Sequence, residues 1–130
     1  MFIDVALGLV LLGLFFTRPT SRVSLVSAQE TFERSSKDSG LVLLDVRTPA
    51  EYNAGHLSNA ILIPLQELEE RVGELDAVKG KNIIAYCRSG NRSGKAAEML
   101  AKKGFTVFNM EGGILKWKKL GLPVVEGQTK

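Results

Sequence analysis

The sequence predicts an α/β fold, a three-layer sandwich with a mostly parallel central sheet of about five strands and helices on both faces. Two observations indicate this class. Short apolar runs alternate along the chain with segments of helical spacing. The composition, 45% hydrophobic and 24% charged over 130 residues, is that of one ordinary globular domain. In such sheets, ligands bind at the carboxyl ends of the strands.

Five apolar segments are predicted to be strands. The second of them, residues 41–46, consists of Leu and Val interrupted only by Asp45. A run of this kind is typical of a strand that is buried on both faces of a parallel sheet. The predicted strands are residues 23–26, 41–46, 61–64, 82–86 and 107–110.

Helices are predicted between the strands from capping residues and from apolar spacing. Ser27 and Glu30 have the S-x-x-E form of a capping box, which begins the first helix. Thr48 and Glu51 form a second box, with Pro49 at the first helical position. The remaining helices are predicted at residues 65–75, 93–103 and 114–120, with a glycine stop at 104 and a glycine turn at 112–113.

The N-terminal segment has a different character from the rest of the chain. Residues 1–17 contain one charged residue, Asp4, and reach about 25 Å as a helix, slightly less than a hydrocarbon core of about 30 Å. We interpret this segment as a hydrophobic membrane anchor. A cleaved signal segment is the alternative, although its basic residues would be expected before the apolar run. The domain organisation is therefore 1–17 anchor or signal segment, 18–22 linker, 23–126 folded domain and 127–130 tail.

The distribution of charge bears on location and on partners. Four basic residues follow the apolar segment between positions 18 and 37 and none precedes it, which favours a membrane-anchored domain on the cytoplasmic side. After signal cleavage the domain would instead be periplasmic or secreted. The net charge of +3 comes from scattered basic and acidic residues, so nucleic acid binding is not indicated.

The single cysteine, Cys87, is the candidate nucleophile. It follows the predicted strand 82–86 and precedes a helix, which places it at the carboxyl edge of the sheet before a helix N-terminus. Loop amides, the helix dipole, Arg88 and Arg92 would bind an anion there and favour the thiolate. A lone cysteine can also be an inert core residue. Two arginines within five residues favour the reactive interpretation.

The loop from Cys87 to Ser93, with the sequence CRSGNRS, resembles the active-site loop of rhodanese-like sulfurtransferases. Other segments resemble the signatures of this family, in the same order, over about residues 23–125. Two positions depart from the family pattern, Asn59 in place of Gly and Leu62 in place of Asn; Asn tolerates a positive φ. The matching segments are Leu44-Asp45-Val46-Arg47, Glu51-Tyr52, Gly55-His56-Leu57, Ala60-Ile61 with Pro64, Glu111-Gly112-Gly113-Ile114 with Trp117, and Gly121-Leu122-Pro123.

The resemblance implies a sulfurtransferase in which Cys87 takes a sulfane sulfur from a thiosulfate-like or persulfide donor. The resulting persulfide passes sulfur to a thiol, to a cyanide-like nucleophile or to a protein acceptor, with no metal and no organic cofactor. The substrate-binding residues carried over by position are Arg88, Ser89, Gly90, Asn91, Arg92 and Ser93. The supporting residues are Asp45, as an acceptor for the active loop, and Arg47 with Glu51, as an ion pair. His56 and Trp117 are expected to be structural.

There are two alternatives, one from another class of function and one enzymatic. A membrane-tethered persulfide carrier or binding module would form the persulfide without small-molecule turnover. A cysteine phosphatase or arsenate reductase would need a different loop. Here Tyr86 stands in place of the His of the pattern H-C-x5-R, and the spacing from Cys87 to Arg92 is one residue shorter.

Overall fold

The computed structural model describes residues 23–127, which form a five-stranded sheet with helices on both faces. The strand order is β1-β5-β4-β2-β3, and every neighbouring pair is parallel. The predicted fold class is therefore confirmed. The elements are β1 Ser24–Val26, α1 Ala28–Lys37, β2 Val42–Asp45, α2 Pro49–Ala54, β3 Ile61–Leu62, α3 Leu65–Arg71, a 3₁₀ helix Val72–Val78, β4 Asn82–Tyr86, α4 Asn91–Lys102, β5 Thr106–Met110 and α5 Gly113–Lys119.

The alternation of side chains along the strands creates two separate cores. On β4, Ile83 and Ala85 pack on the face that carries α3, the 3₁₀ helix and α4. Ile84 and Tyr86 point to the other face, which carries α1, α2 and α5. This period of two is what a strand between two helical layers requires. Cys87 continues the first series and belongs to the core on the α4 face.

The predicted caps are present where helices follow strands. The Ser27 hydroxyl accepts from the Glu30 amide at 3.0 Å and begins α1. Thr48 and Glu51 form a reciprocal capping box at the start of α2, so this helix begins immediately after β2. Asn59 has a φ of 68° and adopts the left-handed conformation that the sequence allows there.

Three predicted elements have different bounds in the structure. The third strand is only Ile61–Leu62, and it ends two residues before Pro64, a residue without an amide hydrogen. The predicted helix 65–75 is an α-helix that continues as the tighter 3₁₀ helix Val72–Val78. Helix α4 begins at Asn91, two residues earlier than the sequence indicates. The last difference changes the active loop, as described below.

The predicted anchor or signal segment 1–17 and the linker 18–22 lie outside the described residues. Within residues 23–127, no helix combines the length and the apolar character that a membrane span needs. The anchor and the membrane side therefore stay predictions.

Candidate active site

Cys87 follows the central strand β4 at the carboxyl edge of the sheet, and α4 begins four residues later. Gly90 has a φ of 117° and serves as the N-cap residue of α4, without a side-chain cap. Asn91, Arg92 and Ser93 therefore form the first helical turn, although the sequence suggested a longer loop. The glycine allows this early start because it takes a left-handed conformation without strain from a Cβ.

The sulfur atom of Cys87 takes the place that a capping side chain has at other helices. Its Sγ accepts from the Gly90 amide at 3.1 Å and from the Ser93 amide at 3.4 Å. The Ser93 hydroxyl lies 3.3 Å from the same atom. The Ser93 amide is at the third helical position, where the N–H usually donates to a side-chain oxygen of the N-cap residue. A negative charge on sulfur is thus stabilised by the positive end of α4.

The surroundings of Cys87 favour its thiolate form. Burial raises the pKa of the Cys87 thiol, but hydrogen bonds from Ser93, Gly90 and Ser89 outweigh this effect and the pKa is lowered. The residue is only 1% exposed, which by itself would describe an inert core cysteine. The hydrogen bonds to sulfur distinguish the two cases, because an inert thiol in an apolar interior has its pKa raised.

A hydrogen-bonded network behind the sulfur involves Asn109, a residue that the sequence did not single out. The Ser93 hydroxyl donates to Asn109 Oδ1 at 2.6 Å, and Asn109 Nδ2 donates to the Gly90 carbonyl at 3.2 Å. Asn109 lies on β5 beside β4 and is buried. Its side chain fixes the start of α4 to the sheet. The only indication in the sequence is a polar residue within an apolar strand.

Helix α5 contacts the loop closely through Gly113, which the sequence indicated as part of a turn and of a segment that resembles the family. A Cβ at Gly113 would lie 2.3 Å from the Arg88 carbonyl oxygen and 2.6 Å from that of Cys87. The amide of Ile114 donates to the Cys87 carbonyl at 2.9 Å, and that of Leu115 donates to the Arg88 carbonyl at 3.1 Å. The loop is therefore held between α4 and α5 by main-chain contacts.

Arg92 is paired with Glu51 from α2. Nη1 and Nη2 of Arg92 lie 2.8 and 2.9 Å from the two carboxylate oxygens, a bidentate ion pair. The Arg92 hydrogen bond, together with the Thr48 cap, lowers the pKa of Glu51 to about 2 although burial raises it. The predicted ion pair between Arg47 and Glu51 is therefore wrong. Arg47 pairs with Asp45 instead, and Glu51 pairs with Arg92.

Asp45 and Arg47 form a buried ion pair of their own. Arg47 Nη2 lies 2.6 Å from Asp45 Oδ2, with the two side chains 5% and 0% exposed. The same nitrogen also donates to the Gly55 carbonyl at 2.7 Å, which joins the end of β2 to the end of α2. The Asp45 carboxylate accepts from the amide and the guanidinium of Arg47, in place of the predicted donors from the active loop. Asp45 thus supports the segment that follows β2 rather than the loop.

The remaining predicted residues divide between the site and the core. Arg88, Ser89 and Asn91 have exposed side chains on the solvent side of the loop. His56 is buried, stacks on Tyr52 and donates through Nδ1 to the Tyr52 carbonyl at 2.8 Å. Trp117 is buried as well. Across residues 23–127, no three His, Cys, Asp or Glu side chains are grouped as metal ligands.

Comparison with known sequences defines the class of this fold and site. The sequence model of the family described as Rhodanese-like domain matches residues 28–120. The chain therefore belongs to the rhodanese-like family.

Several curated relatives share this domain. A protein named Sulfurtransferase from Allochromatium vinosum is 34% identical over 104 residues, covering 79% of this chain and 95% of the relative. Thiosulfate sulfurtransferase PspE from Escherichia coli is 37% identical over 84 residues, covering 65% of this chain and 78% of the relative. The uncharacterized protein slr1261 from Synechocystis is 33% identical over 108 residues, and the match covers 82% of this chain but only 59% of that protein. The family thus includes sulfurtransferases of similar length and also longer proteins.

A solved structure confirms the fold. The rhodanese-related protein from Thermoplasma volcanium superposes with a TM-score of 0.73 at 36% sequence identity, and the match covers 80% of this chain and 98% of that chain.

Proposed function

We propose that the protein is a sulfurtransferase that carries a sulfane sulfur as a persulfide on Cys87. The observation that carries the proposal is the position of Cys87 Sγ, which accepts amide hydrogen bonds at the N-terminus of α4. The lowered pKa of the thiol makes the thiolate available as the nucleophile. Relatives named as sulfurtransferases support the same reaction class.

The first half-reaction is a displacement at sulfur. The Cys87 thiolate attacks the outer sulfur of thiosulfate, a new S–S bond forms, and the sulfur–sulfur bond of the donor breaks. Sulfite leaves with the electron pair of that bond, and the persulfide anion remains on Cys87. The amides that hold the thiolate are available to stabilise this anion, because its charge stays close to the helix N-terminus.

The second half-reaction returns the enzyme to its starting state. A nucleophilic acceptor, such as a thiolate or cyanide, attacks the outer sulfur of the persulfide. The bond between the two sulfurs breaks, and Cys87 leaves as a thiolate that the same hydrogen bonds stabilise. The exposed residues Arg88, Ser89 and Asn91 form the side of the loop from which a small anion or a protein acceptor would approach.

A persulfide carrier without small-molecule turnover is the alternative function. The near-complete burial of Cys87 favours it, since a sheltered persulfide would be released only to a fitting acceptor. No contact at the site favours a phosphatase or an arsenate reductase. Tyr86, which replaces the His of their pattern, packs in the core on the opposite face of the sheet from Cys87.

Intact-mass analysis tests the sulfur chemistry directly. Incubation with thiosulfate should add about 32 Da, the mass of one sulfur, to the wild type and nothing to Cys87→Ser. Steady-state turnover with cyanide or a thiol as acceptor then separates an enzyme from a carrier. Absence of the added mass in the folded wild type with thiosulfate and with a singly charged thiosulfonate donor would refute the proposal, and phosphate release from an aryl phosphate would support the phosphatase instead.

We also propose that residues 1–17 attach the domain to a membrane, on the cytoplasmic side, with the periplasmic or secreted form as the alternative. The apolar run and the basic residues that follow it support this proposal. Fractionation of the full chain, followed by protease treatment of intact cells, tests both the attachment and the side.

A further inference from the structure

The ion pair between Glu51 and Arg92 places a carboxylate beside the active loop. Arg92 immediately precedes Ser93, whose amide and hydroxyl contact the sulfur. The capping box of α2 holds the Glu51 side chain in place, since its Oε1 accepts from the Thr48 amide at 2.9 Å and from the Thr48 hydroxyl at 3.1 Å. The guanidinium is therefore held in one position, with one hydrogen bond to each oxygen of Glu51.

The charges around the loop come close to cancelling. Asp45 and Arg47 neutralise each other, and so do Glu51 and Arg92. Among the charged side chains of the loop itself, Arg88 is exposed and outside these two pairs, and the start of α4 adds a partial positive charge of roughly half a unit. This small excess must stabilise the thiolate and the donor together. A donor with one negative charge fits the balance better than a donor with two.

We propose, on the basis of the sulfur transfer proposed above, that Glu51 is a positioning and specificity-determining residue that neutralises Arg92 and tunes the site toward singly charged sulfane sulfur donors. Alkanethiosulfonate anions and the anions of hydropersulfides belong to this class, and thiosulfate, a dianion, does not. With a thiosulfonate, the thiolate of Cys87 takes the outer sulfur and a sulfinate leaves with the electron pair. The two donor classes thus produce the same persulfide and differ in charge.

The test compares the loading of Cys87 by thiosulfate and by methanethiosulfonate, with intact mass as the readout. Glu51→Gln keeps an oxygen acceptor for the cap but leaves Arg92 without a carboxylate. The second charge of thiosulfate then gains an attraction to Arg92 that the single charge of methanethiosulfonate lacks. The ratio of the loading rate constants, thiosulfate over methanethiosulfonate, should rise about fivefold, the effect of one extra unit charge a few ångströms away in a solvated site.

Two further variants separate charge from structure. The double variant Glu51→Gln with Arg92→Gln removes both charges, so its ratio should return to within about twofold of the wild type. Arg92→Gln alone leaves Glu51 unpaired and should lower the ratio below that of the wild type. Glu67→Gln, which breaks a surface pair with Arg71 on α3, is the matched control and should leave the ratio unchanged. If the role of Glu51 were purely structural, the ratio would neither return to the wild-type value in the double variant nor fall in Arg92→Gln.

Each outcome decides between the two proposals. A ratio that is higher in Glu51→Gln and returns to the wild-type value in the double variant supports the inference. Loading of the wild type with an unchanged or lower ratio in Glu51→Gln overturns the inference and leaves the sulfurtransferase proposal standing. No loading of the wild type by either donor overturns both.

Discussion

The close contact between Gly113 and the active loop predicts a large loss of stability for Gly113→Ala. At a φ of 60°, an alanine costs about 1 kcal/mol relative to glycine. The new Cβ would also lie 2.3 Å from the Arg88 carbonyl oxygen, and main-chain atoms can relieve this overlap only by moving. Separating α5 from the loop costs a further 1–3 kcal/mol or so, by analogy with overpacked cores. The expected total is about 3 kcal/mol.

The matched control is Gly121→Ala. Gly121 also has a positive φ, 75°, but nothing lies within 4 Å of the position that a Cβ would take there. Its substitution should therefore cost only the conformational part, about 1 kcal/mol. Urea unfolding followed by the fluorescence of Trp117, the single tryptophan, measures both variants. Equal losses of unfolding free energy in the two variants would refute the reasoning, because the contact with the loop would then contribute nothing.

Three further predictions concern the site and its ion pairs. Ser93→Ala should raise the pKa of Cys87 and slow its alkylation by iodoacetamide roughly fivefold at a pH below that pKa, because the single hydroxyl proton turns from Asn109 Oδ1 to the charged sulfur, and a hydrogen bond to a charged group exceeds a neutral one by about 1 kcal/mol. Asp45→Asn should lower the unfolding free energy by about 3 kcal/mol in urea titrations, because the charge of Arg47 is left buried and uncompensated. The stabilising effect of Glu51, measured as the difference from Glu51→Gln, should be complete above the unfolded-state pKa of about 4.3 and decline as the pH falls from there toward 2, since its folded-state pKa is about 2.

For each of these predictions, one outcome would contradict the reasoning. An alkylation profile that does not move in Ser93→Ala would mean that the amides of Ser89, Gly90 and Ser93 hold the thiolate without the hydroxyl. A loss in Asp45→Asn no larger than that of Glu67→Gln, a pair on the surface, would mean that water reaches Arg47. A stability difference at Glu51 that stays constant between pH 5 and about pH 2 would contradict the linkage to its carboxylate.

The sequence predicts the architecture well because local patterns determine it. Both capping residues, Ser27 and Thr48, begin helices in the structure. The strand 82–86 has the predicted bounds, and its position before a helix is enough to place Cys87 at the carboxyl edge of the sheet. These features depend on a few neighbouring residues, and the sequence contains all of them.

The side-chain partners of the site could not be predicted in the same way. Arg47 is close in sequence to both Asp45 and Glu51, and spacing alone does not show that the first partner is correct. Arg92 meets Glu51 across 41 positions, and Asn109 meets Ser93 across 16. Such contacts depend on how α2, α4 and β5 pack against one another. Local sequence signals do not determine that packing.

The burial of Cys87 determines which sulfur atom an approaching molecule can contact. The protein presents almost none of its cysteine, since only 1% of the residue is exposed. In the proposed cycle a second sulfur is attached about 2 Å beyond Sγ, a typical S–S bond length. The reactive atom is then the transferred sulfur rather than the protein's own thiol. Between transfers, oxidants and bulky electrophiles would have little access to the buried thiol of Cys87. An acceptor would reach a reactive sulfur only when Cys87 carries a persulfide.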